Sequence, residues 1–344
     1  MSKVKKVTFE LKKYEFPEPF KITGAVHTEA KNIEITVELE NGATGKGESS
    51  YSYRVNGEMI AALLAMENDV NNMLKGMDVK NYRKIFDVVD GFSRTAPSVK
   101  AGVQFAVLDA LSAEIGVPVY QILGGSTNKI KTDKTVGIDE LENMVEKAKR
   151  YYYTEGYETL KIKVGLNLKE DIEKMIAISE ATKGASYIVD ANQGYSPKEA
   201  IQFADAAYRN GVNIVVFEQP TMWNDHDGLR LIRQNSPFPI AADESAKSKY
   251  DVFELLKDGC VDFVNIKLMK SGISDALAIV ELAKITNTNL MIGCMSESSV
   301  GINQSVHFAA GTGAFTYHDL DSHMLMKENE FRGKFTQNGQ EITL

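Results

Sequence analysis

Five short apolar runs recur through the middle of this chain, and each ends beside ionisable residues. Residues 160–164, Leu-Lys-Ile-Lys-Val, read as a strand of period two with Lys161 and Lys163 on one face. Tyr187-Ile188-Val189 then leads into Asp190 and Asn192, and Ile214-Val215-Val216-Phe217 into Glu218. Ile240-Ala241-Ala242 leads into Asp243 and Glu244, and Phe263-Val264-Asn265-Ile266 into Lys267. From Lys163 the steps to Asp190, Glu218, Asp243 and Lys267 are 27, 28, 25 and 24 residues. Helical patterns such as 168–182, 197–210 and 274–286 fill the intervals. One strand, one helix and two short loops take about that length, so the array predicts a β/α repeat. Polar groups at the C-terminal ends of successive parallel strands mark the working face of a barrel. The first pentad alone would equally suit an edge strand with its lysines in water. The regular array after it does not.

The rest of the chain falls around that array. Residues 4–14 and 32–40 alternate as strands, with a loop expected from Phe16 to about Thr28, and Asn41-Gly42 signals a hairpin turn before a return strand at 44–48. Residues 57–74, 81–89 and 98–115 have helical periodicity. Strands followed by helices predict an α+β unit over 1–125, with Gly124-Gly125-Ser126 as its boundary. The barrel is expected over 126–321. Its first strand is placed at 131–137 with Thr135 near the C-terminal end, its seventh at 290–294 and its eighth at 314–320. Residues 322–344 are expected to return and complete the first unit.

Size and composition set bounds. A chain of 344 residues with 43% hydrophobic and 25% charged content can bury a barrel-sized core. The net charge of -8 argues against nucleic acid or an anionic membrane as partner. Cys260 and Cys294 make neither a disulfide framework nor a metal-ligand spacing. No signal-peptide pattern or membrane-length apolar run is seen, so a cytoplasmic protein is expected. A homo-oligomer is compatible with this reading.

Asp190, Glu218 and Asp243 come from three adjacent strands and converge on one quadrant of the mouth. Oxygen ligands without His or Cys suit a hard cation, Mg²⁺ rather than Zn²⁺. Lys163 and Lys267 lie four strands apart, on opposite sides of an eight-stranded barrel. A carbon on the axis would meet one amine on each face, the geometry for removing a proton from one side and returning one to the other. A carbon acid beside a carboxylate yields a dianion that needs concentrated positive charge, which the metal and Lys161 would supply. A lysine with its ordinary pKa of about 10.4 is a poor base, so burial, Lys161 and the metal are expected to lower that of Lys163, and burial and the metal must do more at Lys267. Lys270 is placed beyond the strand.

Lys161-Ile162-Lys163, Asp190-Ala191-Asn192, Phe217-Glu218-Gln219-Pro220, Ala242-Asp243-Glu244-Ser245 and Asn265-Ile266-Lys267 together resemble the enolase superfamily, in its muconate-lactonizing-enzyme subgroup. The resemblance spans essentially the whole chain. It implies a (β/α)₇β barrel capped by the N-terminal α+β unit, one Mg²⁺ on Asp190, Glu218 and Asp243, and Lys163 with Lys267 as the acid/base pair. Such use of lysine with Mg²⁺ is a worked case of catalysis on an ene-diolate. Asp319-Leu320-Asp321 is similar to the pair with which the subgroup's dipeptide epimerases hold a substrate's free α-ammonium. Two carboxylates there complement a cation and repel an anionic substrate. Met295-Ser296-Glu297 would line the same pocket, with Thr135 and Asn192.

The activity so implied is epimerisation of a dipeptide at its C-terminal residue, with L-Ala-D/L-Glu the first choice and broad tolerance. Where the subgroup's Ala-Glu enzymes carry a lid arginine this chain has Ala25, with Lys21, His27 and Arg54 as substitutes. An N-acylamino acid racemase or o-succinylbenzoate synthase is the alternative. A non-catalytic Mg²⁺-dependent binding protein is a remote one, since binding needs no base on either face.

Overall fold

The computed structural model describes residues 2–344. Its N-terminal part is a three-stranded antiparallel sheet of β1 (Val4–Ile22), β2 (Ala25–Leu39) and β3 (Thr44–Ser49). The alternation in β2 puts Ile33, Ile35, Val37 and Leu39 in a dry core with Val7 and Phe9. The helix Pro97–Ile115 lies across this sheet. It comes so close to β3 that a Cβ on Gly45 would fall 2.0 Å from Ala110 N, so only glycine fits there. The Asn41-Gly42 turn forms as expected, with Gly42 at φ 88°. The loop expected from Phe16 to Thr28 does not. Both strands run on to a turn at Thr23-Gly24, and the register slips between Glu15 and Phe20. Pro17 and Pro19, which have no N–H to give a ladder, sit inside that slip.

The barrel strands are β5 (Lys134–Val136), β6 (Thr159–Lys163), β7 (Ser186–Asp190), β8 (Ile214–Glu218), β9 (Ile240–Ala242), β10 (Phe263–Ile266), β11 (Asn289–Ile292) and β12 (Tyr317–His318). All neighbours are parallel and in sequence order. The helices Leu168–Ala181 and Pro197–Arg209 fall where the sequence places them, whereas the third begins at Leu268, ahead of the expected Ser274, and is kinked at Gly272 with φ 73°. Individual hydrogen bonds close the seam between first and eighth strands. Asp133 N donates to His318 O at 2.9 Å, Leu320 N to Thr132 Oγ1 at 2.9 Å, and Thr135 N to Asp321 Oδ2 at 2.8 Å.

Both seam strands are shorter than their sequence patterns suggest. Residues 129–131 form β4 (Lys129–Lys131), which leaves the barrel to pair with β14 (Glu341–Thr343), itself paired with β13 (Thr336–Asn338). The C-terminal segment also reaches the first sheet, where Arg332 Nη2 donates to Tyr14 Oη at 2.8 Å. Among the described residues, no helix is long and apolar enough to cross a membrane.

Period two along the strands layers the barrel interior. Ile188, Val216, Ala241, Phe263, Met291 and Tyr317 make an apolar floor. Asp190, Glu218, Asp243 and Asn265 stand two residues further along, directly above it. The capping sheet is pinned to the mouth by buried polar contacts. Asn32 Nδ2 donates to Glu48 Oε1 at 3.0 Å and to Ser296 O at 2.9 Å, and Ser50 Oγ to Ser296 O at 2.8 Å. Burial pushes Glu48 up to about 7.

Two outcomes follow from this packing. Ile188→Ala opens a cavity in the floor and is expected to cost about 3 kcal/mol in urea unfolding, with reduced turnover because Asp190 loses its support. Burial also pushes His307 down to about 4. Between the ordinary histidine range and that value the unfolded chain binds a proton the folded one refuses, so this contribution to stability is present above about pH 6.5 and lost on acidification. The stability deficit of His307→Asn should therefore shrink between pH 7 and pH 5; a pH-independent deficit would contradict this.

Candidate active site

The strand ends bring the ionisable residues together because the register leaves them level. Lys163 is the Cα partner of Asp190, and Asp190 of Glu218. Asp190, Glu218 and Asp243 are buried and offer carboxylate oxygens that all lie within 4.8 Å of one another. Lys163 Nζ lies 2.6 Å from Asp190 Oδ2 on one flank of this triad, and Lys267 Nζ 2.8 Å from Asp243 Oδ2 on the other. Their strands, β6 and β10, are four apart in the eight-stranded order. Between them Lys161 Nζ is 2.6 Å from Asp319 Oδ2, 2.8 Å from Glu218 Oε2 and 3.1 Å from Asp190 Oδ2.

Electrostatics follows from that cage. Burial works against the Lys161 ammonium, but Asp319, Glu218 and Asp190 outweigh it and hold the group well above the usual lysine range. Burial likewise pushes Asp190 up, and Lys163 and Lys161 bring it down to about 2. Glu218 has less compensation: burial and then Asp190 push it up to about 7. Asp243 is held far below the ordinary carboxylate range, because Lys267 and Lys270 outweigh its burial. One expectation is corrected here. Burial was to help lower Lys267, but the Asp243 carboxylate more than cancels it, and the ammonium is raised.

The triad fits a hard divalent cation. Its donors are all oxygens, and Glu218 Oε2, although close to Lys161, is not engaged in a hydrogen bond. Its other oxygen accepts from Asn265 Nδ2 at 2.7 Å, which fixes the carboxylate's orientation.

The remaining sequence candidates surround this cage. Asp319 and Asp321 are both buried, beside the half-buried Cys294. Asp321 Oδ2 accepts from the N–H of Thr135. Asn192, at φ 42°, donates its N–H to Asp190 Oδ1 at 2.8 Å and its amide to Glu244 Oε1 at 3.2 Å, leaving its own Oδ1 unpartnered. Met295 and Ser296 are half-buried in the loop after β11. Glu297 lies fully beneath them, its Oε1 taken by Met295 N at 2.9 Å, and burial pushes it up to about 8.

Of the lid cations, Arg54 reaches the carbonyl of Gly24. His27 is half-buried and pushed down by burial and then by Arg54. Lys21 is exposed, and its carbonyl accepts from Ile138 N at 3.0 Å.

Sequence reading passed over three members. Lys270 is buried, not beyond the site: its Nζ lies 2.6 Å from Asp243 Oδ1 and 3.0 Å from Asn265 O. One helical turn after Lys267 brings its side chain back, an i+3 signal present in Lys267-Leu268-Met269-Lys270. Asn265 shares the inward face with Lys267 by strand period. Asp133 is buried with both carboxylate oxygens unpartnered, two residues before Thr135.

Because Lys161 touches three buried carboxylates at once, Lys161→Met is expected to cost about 3–5 kcal/mol in urea unfolding without divalent cations. A smaller loss would show that those carboxylates do not depend on its charge.

Comparison with known proteins bears on these residues. Residues 6–124 match the family model for the mandelate racemase / muconate lactonizing enzyme N-terminal domain. Residues 143–344 match that for the enolase C-terminal domain-like family. The chain is 58% identical over 342 residues to an L-Ala-D/L-Glu epimerase of Thermotoga maritima, covering 98% of each. It superposes on a substrate-liganded L-Ala-D/L-Glu epimerase from Bacillus subtilis with a TM-score of 0.96 and 30% identity, covering 99% of this chain and 96% of that one. It also superposes on a dipeptide epimerase from Enterococcus faecalis, complexed with Mg and L-Leu-L-Tyr, with a TM-score of 0.93 and 33% identity, covering 99% and 97%. With both models matched, over residues 6–124 and 143–344, this chain belongs to the mandelate racemase / muconate lactonizing enzyme family of the enolase superfamily.

Proposed function

We propose that the chain is a Mg²⁺-dependent dipeptide epimerase that inverts the α-carbon of the C-terminal residue, with L-Ala-D/L-Glu as substrate and broad tolerance at the epimerised side chain. Two buried lysines on opposed strands, flanking one carboxylate triad, carry this reading. The Thermotoga maritima relative supports the Ala-Glu assignment. The Enterococcus faecalis enzyme, complexed with Mg and L-Leu-L-Tyr, supports tolerance of apolar side chains.

Asp190, Glu218 and Asp243 are the residues that would hold Mg²⁺. Bound there, it draws their charge away from the lysine ammoniums and offers a Lewis acid to the substrate carboxylate. Lys163 and Lys267 then do the proton work. One amine removes the α-proton from its face, and the ammonium opposite returns a proton to the other face, giving the inverted centre. Lys161 adds fixed positive charge beside the developing ene-diolate. Lys270 holds Asp243 from the side away from Lys267, so that the triad keeps its shape. Asp319 and Asp321 receive the dipeptide's free α-ammonium, and Thr135, Asn192 and Met295–Glu297 wall the cavity.

Residues 1–125 with 322–344 form the cap in this reading, and 126–321 the catalytic barrel. A cytoplasmic location, in keeping with the two free cysteines, and a homo-oligomeric state belong to the same proposal.

The ammonium receptor separates this function from that of an N-acylamino acid racemase. With Mg²⁺ in D₂O, L-Ala-L-Glu should gain one deuterium at the C-terminal α-carbon, read by mass spectrometry. Asp319→Asn with Asp321→Asn should raise its KM by about 10–100-fold, the loss of charge-assisted hydrogen bonds worth about 1.5–3 kcal/mol. Exchange confined to N-acylated substrates, untouched by the double variant, would overturn the reading.

A further inference from the structure

Beside β5 and the Met324-Leu325 segment that follows β12 lies a cavity of about 580 Å³; of its lining, Thr135 and Lys21 also figure in the epimerase reading, and Lys134 does not. A (β/α)₇β barrel has no eighth helix to cover the seam between its first and eighth strands. Here Met324 and Leu325, the 17–21 part of the long hairpin and the helix Leu141–Lys149 with Arg150–Glu155 wall it instead. The volume is in the range that holds a small metabolite, about 300–1,000 Å³.

The charges around it are unequal. Its acidic residues are already engaged: Glu18 and Asp139 with Lys147, and Glu155 with Arg150. Lys134 is not. Its residue is only 4% exposed, its ammonium forms no ion pair among the described residues, and its one polar contact is Met324 Sδ at 3.4 Å. The rings of Tyr151 and Tyr157 flank it at 5.6 and 5.9 Å from their centroids. A thioether is a weak acceptor, and although the charge of Lys134 acts on the buried Asp321 carboxyl and works against its upward push, no carboxylate touches the ammonium directly among the described residues. Lys21, at the rim, also makes no ion pair among the described residues. In a chain of net charge -8 the cavity thus holds a buried ammonium with no carboxylate in direct contact among the described residues.

We infer that this seam cavity is a second ligand site, for a small carboxylate with an apolar body, received by Lys134. Desolvation of the ammonium is complete before any ligand arrives, so an entering anion meets a fixed positive charge rather than a hydrated one. Phe20, Ile138, Tyr151 and Leu325 supply apolar surface for the rest of such a molecule. A carboxylate is favoured over phosphate because one buried cation faces the cavity, not a cluster of donors.

Calorimetric titration of the full-length protein with benzoate tests this, with benzamide and inorganic phosphate as comparisons. Saturable benzoate binding is expected, absent with benzamide. It should weaken at least tenfold in Lys134→Met and persist in Lys267→Ala, whose change is confined to the barrel mouth. A cooperative melt and an unchanged far-UV circular dichroism spectrum of Lys134→Met separate lost binding from lost folding. The proposal is overturned by benzoate affinity unchanged in Lys134→Met, by loss of binding in Lys267→Ala, by equal binding of benzamide, by absence of benzoate binding, or by phosphate binding in its place.

Discussion

Lys161 is the point on which the barrel's charge depends. Its ammonium touches Asp190, Glu218 and Asp319, three carboxylates from three strands, and is itself only 1% exposed. Unpaired carboxylates at such spacing in a dry interior would force protons onto one another. With Lys161 among them, Asp190 stays ionised, and Glu218 is the member pushed furthest toward the neutral form. The lysines flanking the triad divide the remaining charge between Asp190 and Asp243. The polar layer rests on a floor of Ile188, Val216, Ala241, Phe263 and Met291, all buried.

Much of this was legible in the sequence because strand period and repeat spacing are geometric. Once five apolar runs are β-strands of one barrel, the residue at each C-terminal end must face the mouth, and Lys163, Asp190, Glu218, Asp243 and Lys267 fall there. Lys270 escaped because the helical turn after β10 folds it back under Asp243, a tertiary return that strand alternation does not encode. The seam strands were overdrawn for a similar reason. Residues 129–131 have strand propensity, and only the C-terminal partner β14 decides that they leave the barrel. The hairpin through Pro17 and Pro19 was hidden because proline reads locally as a break, whereas a register slip can absorb it. The sign of Lys267 was misjudged by weighing burial without the carboxylate at its side.

The cap and barrel are joined through the residues that roof the mouth. Ser296 O accepts from Asn32 and Ser50 of the capping sheet, and Glu48 binds Ser298 within the same buried cluster. The loop after β11 is therefore placed by both parts of the chain, and the cavity above the triad takes its shape from their union. Among the lid cations, Arg54 reaches the carbonyl of Gly24, Lys21 lines the flank cavity, and the half-buried His27 feels the charge of Lys163.

Two-sided proton transfer is the central claim, and single-lysine variants in D₂O address it most directly. Lys163→Ala and Lys267→Ala would each be incubated with Mg²⁺ and, separately, with L-Ala-L-Glu and L-Ala-D-Glu, and α-deuteration followed by mass spectrometry. Net epimerisation should vanish in both variants, while each still exchanges one epimer and not the other, with opposite preferences. Exchange of both epimers by either variant, or the same preference in both, would show that the two lysines do not serve opposite faces of one carbon.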